Sequence, residues 1–167
     1  PAEPAEPAEP AEPEFAPIPL HEMLALEHGV AESGSGRAEV RMPVAPAALG
    51  FTGALHGGAI ATMVDLACAL AAADISDFDP FRESLVTVDM HVRYLGRPRT
   101  DVVLAKAEVV KKGKQLIVVS CEVADEEGHL VAVADFSMMI VALRTPLDAP
   151  PDDAGATPPP APGAPEL

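Results

Sequence analysis

The chain has 167 residues and a formal net charge of -15, and nine of its 26 carboxylates sit in two proline-rich ends that hold no Lys or Arg. Between Phe15 and Leu147 that leaves 17 acidic against 11 basic residues, a mildly acidic domain without a basic stripe, so no nucleic acid partner is expected. No cationic segment followed by an apolar stretch opens the chain, and the longest apolar run, Ala59 to Ala73, falls short of the roughly 18 residues of a membrane span. The composition therefore predicts a soluble, cytoplasmic protein with no membrane partner.

Residues 1 to 14 repeat Pro-Ala-Glu four times, and residues 148 to 167 are mostly Pro, Ala, Gly and Asp. Neither segment offers apolar side chains to offset the entropy of ordering, so both are expected to be disordered tails around one domain, 15 to 147. Within it, Pro17 to Gly29 spaces Leu20, Met23, Leu24 and Leu26 as a short packing helix that ends at Gly29. Arg37 to Val44, interrupted by Pro43, predicts an edge strand. Gly57 to Asp74 is apolar almost all round, which predicts a core helix covered on every face. The polar loop Ile75 to Glu83 ends that helix. Then come four Val-rich runs, Leu85 to Leu95, Val102 to Val110, Leu116 to Val123 and Leu130 to Leu143, whose short connections predict an antiparallel meander. In the first run, strict alternation puts Val86, Val88, Met90, Val92 and Tyr94 on one face and Thr87, Asp89, His91 and Arg93 on the other, and one face should pack on the helix. Together these elements describe an α+β fold, a curved sheet wrapped around one long helix.

The chemistry concentrates where Leu55-His56-Gly57-Gly58 opens the helix. Paired glycines allow close approach to the backbone, and the first helical amides lack internal acceptors, so Gly57 and Gly58 can present donors to a polarised carbonyl. Asp65 stands two turns further on, with no Lys, Arg or His within a helical turn. An unpaired carboxylate in such a place either reaches solvent or a structural hydrogen bond, or lines a cleft as base or nucleophile. Gly57 and Asp65 are eight residues apart, about 12 Å at helical rise. A site using both needs two chains with antiparallel helices across a twofold axis, which predicts an obligate homodimer with two shared sites.

The run His56-Gly57-Gly58-Ala59-Ile60-Ala61-Thr62-Met63-Val64-Asp65, followed by Val86-Thr87-Val88-Asp89-Met90, resembles the hotdog-fold acyl-CoA thioesterases of the phenylacetyl-CoA type, and the resemblance spans about Leu20 to Leu143. It implies hydrolysis of an acyl-CoA substrate in a dimer or a dimer of dimers, with no cofactor and no metal. By this resemblance Asp65 activates water or attacks the thioester, and the Gly57 amide of the other subunit polarises the carbonyl. Thr87 helps hold the water and His56 has a positioning role at the helix entrance. Tyr94 and the turn Lys111-Lys112-Gly113-Lys114 correspond to positions near the nucleotide end of CoA, where lysines suit phosphates. The residues alone also allow simpler readings: a helix cap for His56, a strand threonine for Thr87, a solvated turn for the lysines. One departure stands out. Where many relatives carry Asn, six residues before the His, this chain has Gly50.

Other chemistries lack their residues. No Gly-x-Ser-x-Gly elbow supports a serine hydrolase, no His lies near Asp65 as a dehydratase would need, and no His spacing suits a metal. Cys68 and Cys121 read as buried free thiols. The competing reading is a catalytically weak hotdog module that binds acyl-CoA or only dimerises, and Gly50 is its argument.

Overall fold

The computed structural model describes residues 17–79 and 81–144, so the expectations for both tails lie outside the described residues. In chain order these form α1 (Pro19–Met23), β1 (Glu27–Val30), β2 (Arg37–Pro43), a 3-10 turn (Pro46–Ala48), α2 (Gly57–Asp74), β3 (Glu83–Tyr94), β4 (Val102–Lys112), β5 (Leu116–Asp125) and β6 (Leu130–Ala142). The six strands make one antiparallel sheet in the order β1-β2-β4-β5-β6-β3. With α2 seated against one face of it, the architecture is the hotdog fold.

The lead-in segment departs from expectation. The helix stops at Met23, Ala25 adopts a left-handed φ of 50°, and the chain turns into β1, so Gly29 pairs with Glu39 in the sheet and ends no helix. No residue of α1 is buried; Leu24, just beyond it, is the side chain that enters the core. The unforeseen β1 also moves β2 from the edge to an inner position between β1 and β4.

The core side of α2 is a stripe of Ala59, Ile60, Met63, Val64, Ala67, Cys68, Ala71 and Ala72, whose i, i+3, i+4 spacing lays it along the sheet. Against it pack Val40, Met42, Val103, Ile117, Val119, Val123 and Phe136, all essentially without exposure. Burying a side chain of the size of Phe136 contributes about 1.5–3 kcal/mol. The opposite side of α2, through Ala61, Asp65, Leu66, Ala69, Leu70 and Ala73, is only half-covered, so the helix is not enclosed on every face. At 18 residues and mean hydropathy 1.4, α2 has the length and composition of a membrane span, longer than the apolar run suggested. Its buried stripe accounts for much of that apolarity, and the half-open side carries the rest.

Three strands, β4 to β6, form the expected meander, but β3 pairs with β6 and not with β4. Three strand spacings, about 14 Å, separate β3 from β4, and the link Leu95 to Asp101 is long enough to cross them. It is held down as it crosses. The Leu95 and Gly96 amides donate to the Val131 carbonyl, and a Cβ on Gly96 would come within 2.7 Å of the Leu130 carbonyl, so this close approach needs glycine. Asp125, at the β5–β6 turn, fastens the rest. Its carboxylate accepts the amides of Arg99 (2.7 Å), His129 (2.8 Å) and Glu127 (3.1 Å), and His129 Nδ1 lies 3.1 Å away.

Asp125 is 2% exposed, and burial pushes its pKa upward; the Arg99 and His129 amides and the His129 ring outweigh that and hold it at about 2, below the usual 3.8. The depressed value means that the stabilisation is fully present above the unfolded-state pKa and is lost as pH falls through the folded one. Urea unfolding of Asp125→Asn should therefore show a lowered midpoint near neutrality, and the gap from wild type should narrow between pH 4 and about pH 2. A gap that stays constant over that range would contradict this assignment.

Candidate active site

A β-bulge decides which residues of β3 meet the helix. The register slips between Thr87 and Asp89, so Val88 has no paired partner. Beyond it Met90, Val92 and Tyr94 pair with Phe136, Ala134 and Ala132, and before it Thr87 pairs with Met138, all four partners being core residues. Thr87 thus shares the helix side with Met90, Val92 and Tyr94, while Val86, opposite Met139, falls on the other. Strict alternation grouped Val86, and not Thr87, with Met90, Val92 and Tyr94; the one inserted residue inverts the pleat and exchanges them.

That inversion brings Thr87 to Asp65. Thr87 Oγ1 donates to Asp65 Oδ1 at 3.0 Å, and Asp65 is half-buried on the open side of α2. No Lys, Arg or His pairs with its carboxylate among the described residues. The hydroxyl orients one carboxylate oxygen and leaves the second accessible. Cys68, one turn along, is no rival nucleophile: its contact with Cys121 and its burial both push the thiol pKa far up, and both cysteines are free and buried.

At the start of α2, His56 is the N-cap and its Nδ1 accepts the Gly58 amide at 2.9 Å, which puts the proton of a neutral ring on Nε2. The Gly58 donor is therefore engaged within the chain. The Gly57 amide has no acceptor among the described residues. Tyr94 lies against Gly57, its Oη donating to the Gly57 carbonyl at 3.1 Å, and about half of the side chain remains exposed. A niche of about 210 Å³ beside them is lined by Gly57, Leu55, Ile60, Tyr94, Arg97 and Pro98.

The lysine turn sits at the far end of α2, about 27 Å from Gly57 along 18 residues of helix. Lys112 Nζ donates to the Ile75 carbonyl and pairs with Asp77 at 3.0 Å, so it fastens the loop that leaves the helix. Gly113 and Lys114 line a separate depression of about 600 Å³ with Asp77, Glu83 and Gln115. One protomer therefore gathers Asp65 with Thr87, and His56, Gly57 and Gly58 with Tyr94, but leaves Lys112, Gly113 and Lys114 apart. A trough of about 590 Å³ lies among charged side chains including Arg37, Glu108, Arg93 and Asp135, at strand positions facing away from α2, and holds none of these groups. Gly50 faces the His56 ring: a Cβ there would stand 3.4 Å from His56 Cδ2, an ordinary contact. Asp125 was legible only as part of a turn, since its partners come from a link 26 residues away.

Residues 52–132 match the thioesterase superfamily. A protein of Saccharolobus solfataricus named as an esterase is 32% identical over 114 residues, covering 68% of this chain and 77% of the relative. A thioesterase family protein from Silicibacter pomeroyi superposes with a TM-score of 0.65 at 26% identity, covering 75% of this chain and 90% of that one. A hypothetical thioesterase of Streptococcus pneumoniae TIGR4, solved with coenzyme A, has a TM-score of 0.60 at 24% identity, covering 71% and 89%. The chain belongs to the thioesterase superfamily.

The cap at His56 has a measurable worth. His56→Ala should lower the unfolding free energy by about 1 kcal/mol, and His56→Asn, whose amide oxygen can also accept the Gly58 N–H, should restore most of it in the same urea titration. Equal loss in both variants would show that the ring acts by packing and not as a cap.

Proposed function

We propose that this protein hydrolyses acyl-CoA thioesters as a homodimer, each site joining Asp65 of one protomer to Gly57 of the partner subunit. The observation that carries this reading is the disposition of the two groups. Asp65 is oriented by Thr87, the Gly57 amide has no acceptor among the described residues, and about 12 Å of one helix separates them. A single carbonyl within about 3 Å of both requires a second chain.

The fold offers a surface for that chain. β3 is an outer strand with exposed Val88, Met90 and Tyr94, and it adjoins the half-open side of α2. Pairing β3 with its twofold copy would satisfy the free strand edge and lay the two helices antiparallel. A substrate carrying CoA is supported by the coenzyme A bound to the Streptococcus pneumoniae relative.

In the proposed reaction the Gly57 amide of the partner subunit holds the developing oxyanion, and water adds to the thioester carbonyl as its proton passes to Asp65. Collapse of the adduct breaks the C–S bond, and the departing thiolate takes up that proton. A direct attack by Asp65 would instead break the C–S bond, release the CoA thiolate and form an acyl anhydride, which water then opens at the Asp65 side-chain carbonyl, its proton passing to the thiolate. Single-turnover hydrolysis in labelled water separates the two, since only the anhydride route leaves label in Asp65.

A second reading, a binding module with little turnover, is favoured by Gly50, which removes an amide side chain. Gly50 has no left-handed φ, and a Cβ there would make only ordinary contacts, so its backbone does not demand glycine. Thiol release from benzoyl-, phenylacetyl- and medium-chain acyl-CoA should be robust in wild type and lowered at least about a hundredfold in Asp65→Asn. Gly50→Asn should raise kcat severalfold. Binding of acyl-CoA without turnover would establish the module, and a monomer by analytical ultracentrifugation would end the shared-site mechanism.

A further inference from the structure

The Gly57–Gly58 peptide is held at both of its polar ends by side chains. Its carbonyl oxygen accepts from Tyr94 Oη at 3.1 Å, and its N–H donates to His56 Nδ1 at 2.9 Å. The Tyr94 ring also lies on Gly57, where an added Cβ would stand 3.4 Å from Cζ. Two successive glycines are the most freely rotating dipeptide a chain can offer, and neither has a left-handed φ that would itself demand glycine. A pair placed here without restraint would let the adjoining peptide plane rock.

We infer that Tyr94 is a positioning residue which, with His56, clamps the Gly57–Gly58 peptide and so fixes the direction of the Gly57 N–H one peptide earlier. This rests on the proposed function, in which that N–H meets the oxyanion. A backbone donor stabilises charge only while it points where the charge forms, and a dipole that must reorient during reaction gives up much of its effect. The Gly57 N–H has no acceptor among the described residues; the carbonyl of the same peptide, that of His56, accepts the Ile60 amide at 3.1 Å, and the clamp adds a second restraint through the next peptide. His56, fixed in sequence one residue before Gly57, restrains one side. Tyr94 supplies the other from β3, thirty-seven residues away.

The clamp also gives the bulge at Val88 a second consequence. Thr87 and Tyr94 are seven residues apart, an odd interval that would put them on opposite faces of a regular strand. With Val88 inserted, one strand orients Asp65 through Thr87 and Gly57 through Tyr94. The acid and the donor of the two composite sites are thereby tied to the same strand edge.

Tyr94→Phe keeps the ring and removes only the donor. Steady-state hydrolysis of the best acyl-CoA by the full chain should show kcat lowered about five- to tenfold with KM within about twofold of wild type, and an unchanged melting temperature. His56→Asn should lose less of kcat than His56→Ala, because it can still accept the Gly58 amide. A raised KM at constant kcat would make Tyr94 a substrate contact and overturn the clamp, as would no change in either constant. Should wild type turn over no thioester, the proposed function fails and resonance assignments decide the clamp alone. The Gly57 carbonyl carbon and the Gly57 amide should then both shift in Tyr94→Phe, and unmoved resonances would overturn it.

Discussion

Seating an 18-residue apolar helix against a single antiparallel sheet is the constraint on which the rest of this molecule depends. A sheet can cover only one side of a helix, so the stripe from Ala59 to Ala72 is buried and the side bearing Asp65 is not. The fold thereby creates, without any special loop, a carboxylate at the rim of an apolar surface. Its low polarity strengthens whatever charge interactions form there.

Two acids of the chain show how differently a fold can treat the same side chain. Asp125 is enclosed, receives three backbone amides and a histidine ring, and is held ionised at about pKa 2; it locks the crossing link over the end of the sheet. Asp65 receives one hydroxyl, and its second oxygen has no hydrogen-bond partner among the described residues. A fully satisfied carboxylate is a fastener and has nothing left to donate to chemistry, whereas an oriented but incompletely satisfied one can take a proton or attack a carbon. Lys112 follows the same logic, since its bonds to Ile75 and Asp77 make it part of the scaffold at the end of α2.

Backbone irregularity does the aiming. The inserted Val88 turns Thr87 and Tyr94 toward the same helix, and the Tyr94 ring lies against Gly57 at the helix entrance. The Val88 bulge lies on the outer strand, where it disturbs pairing on one side only. In the proposed dimer the same strand edge is the seam, so the parts that position the site and the parts that would complete it coincide.

The amino-acid sequence by itself determined what is local: the central helix, the spacing of His56, Gly57, Gly58 and Asp65 along it, and the existence and lengths of the later strands. These follow from side-chain periodicity and composition within a dozen or so residues. Only the tertiary structure decided that Glu27–Val30 is a strand and that β3 joins β6. It alone decided that Thr87 faces the helix and that Gly58 is already engaged by His56. Each of these depends on a partner distant in the chain, on an inserted residue that periodicity does not announce, or on which of several donors finds its acceptor first. Such choices are settled by packing and hydrogen-bond geometry in three dimensions and leave no mark in local pattern.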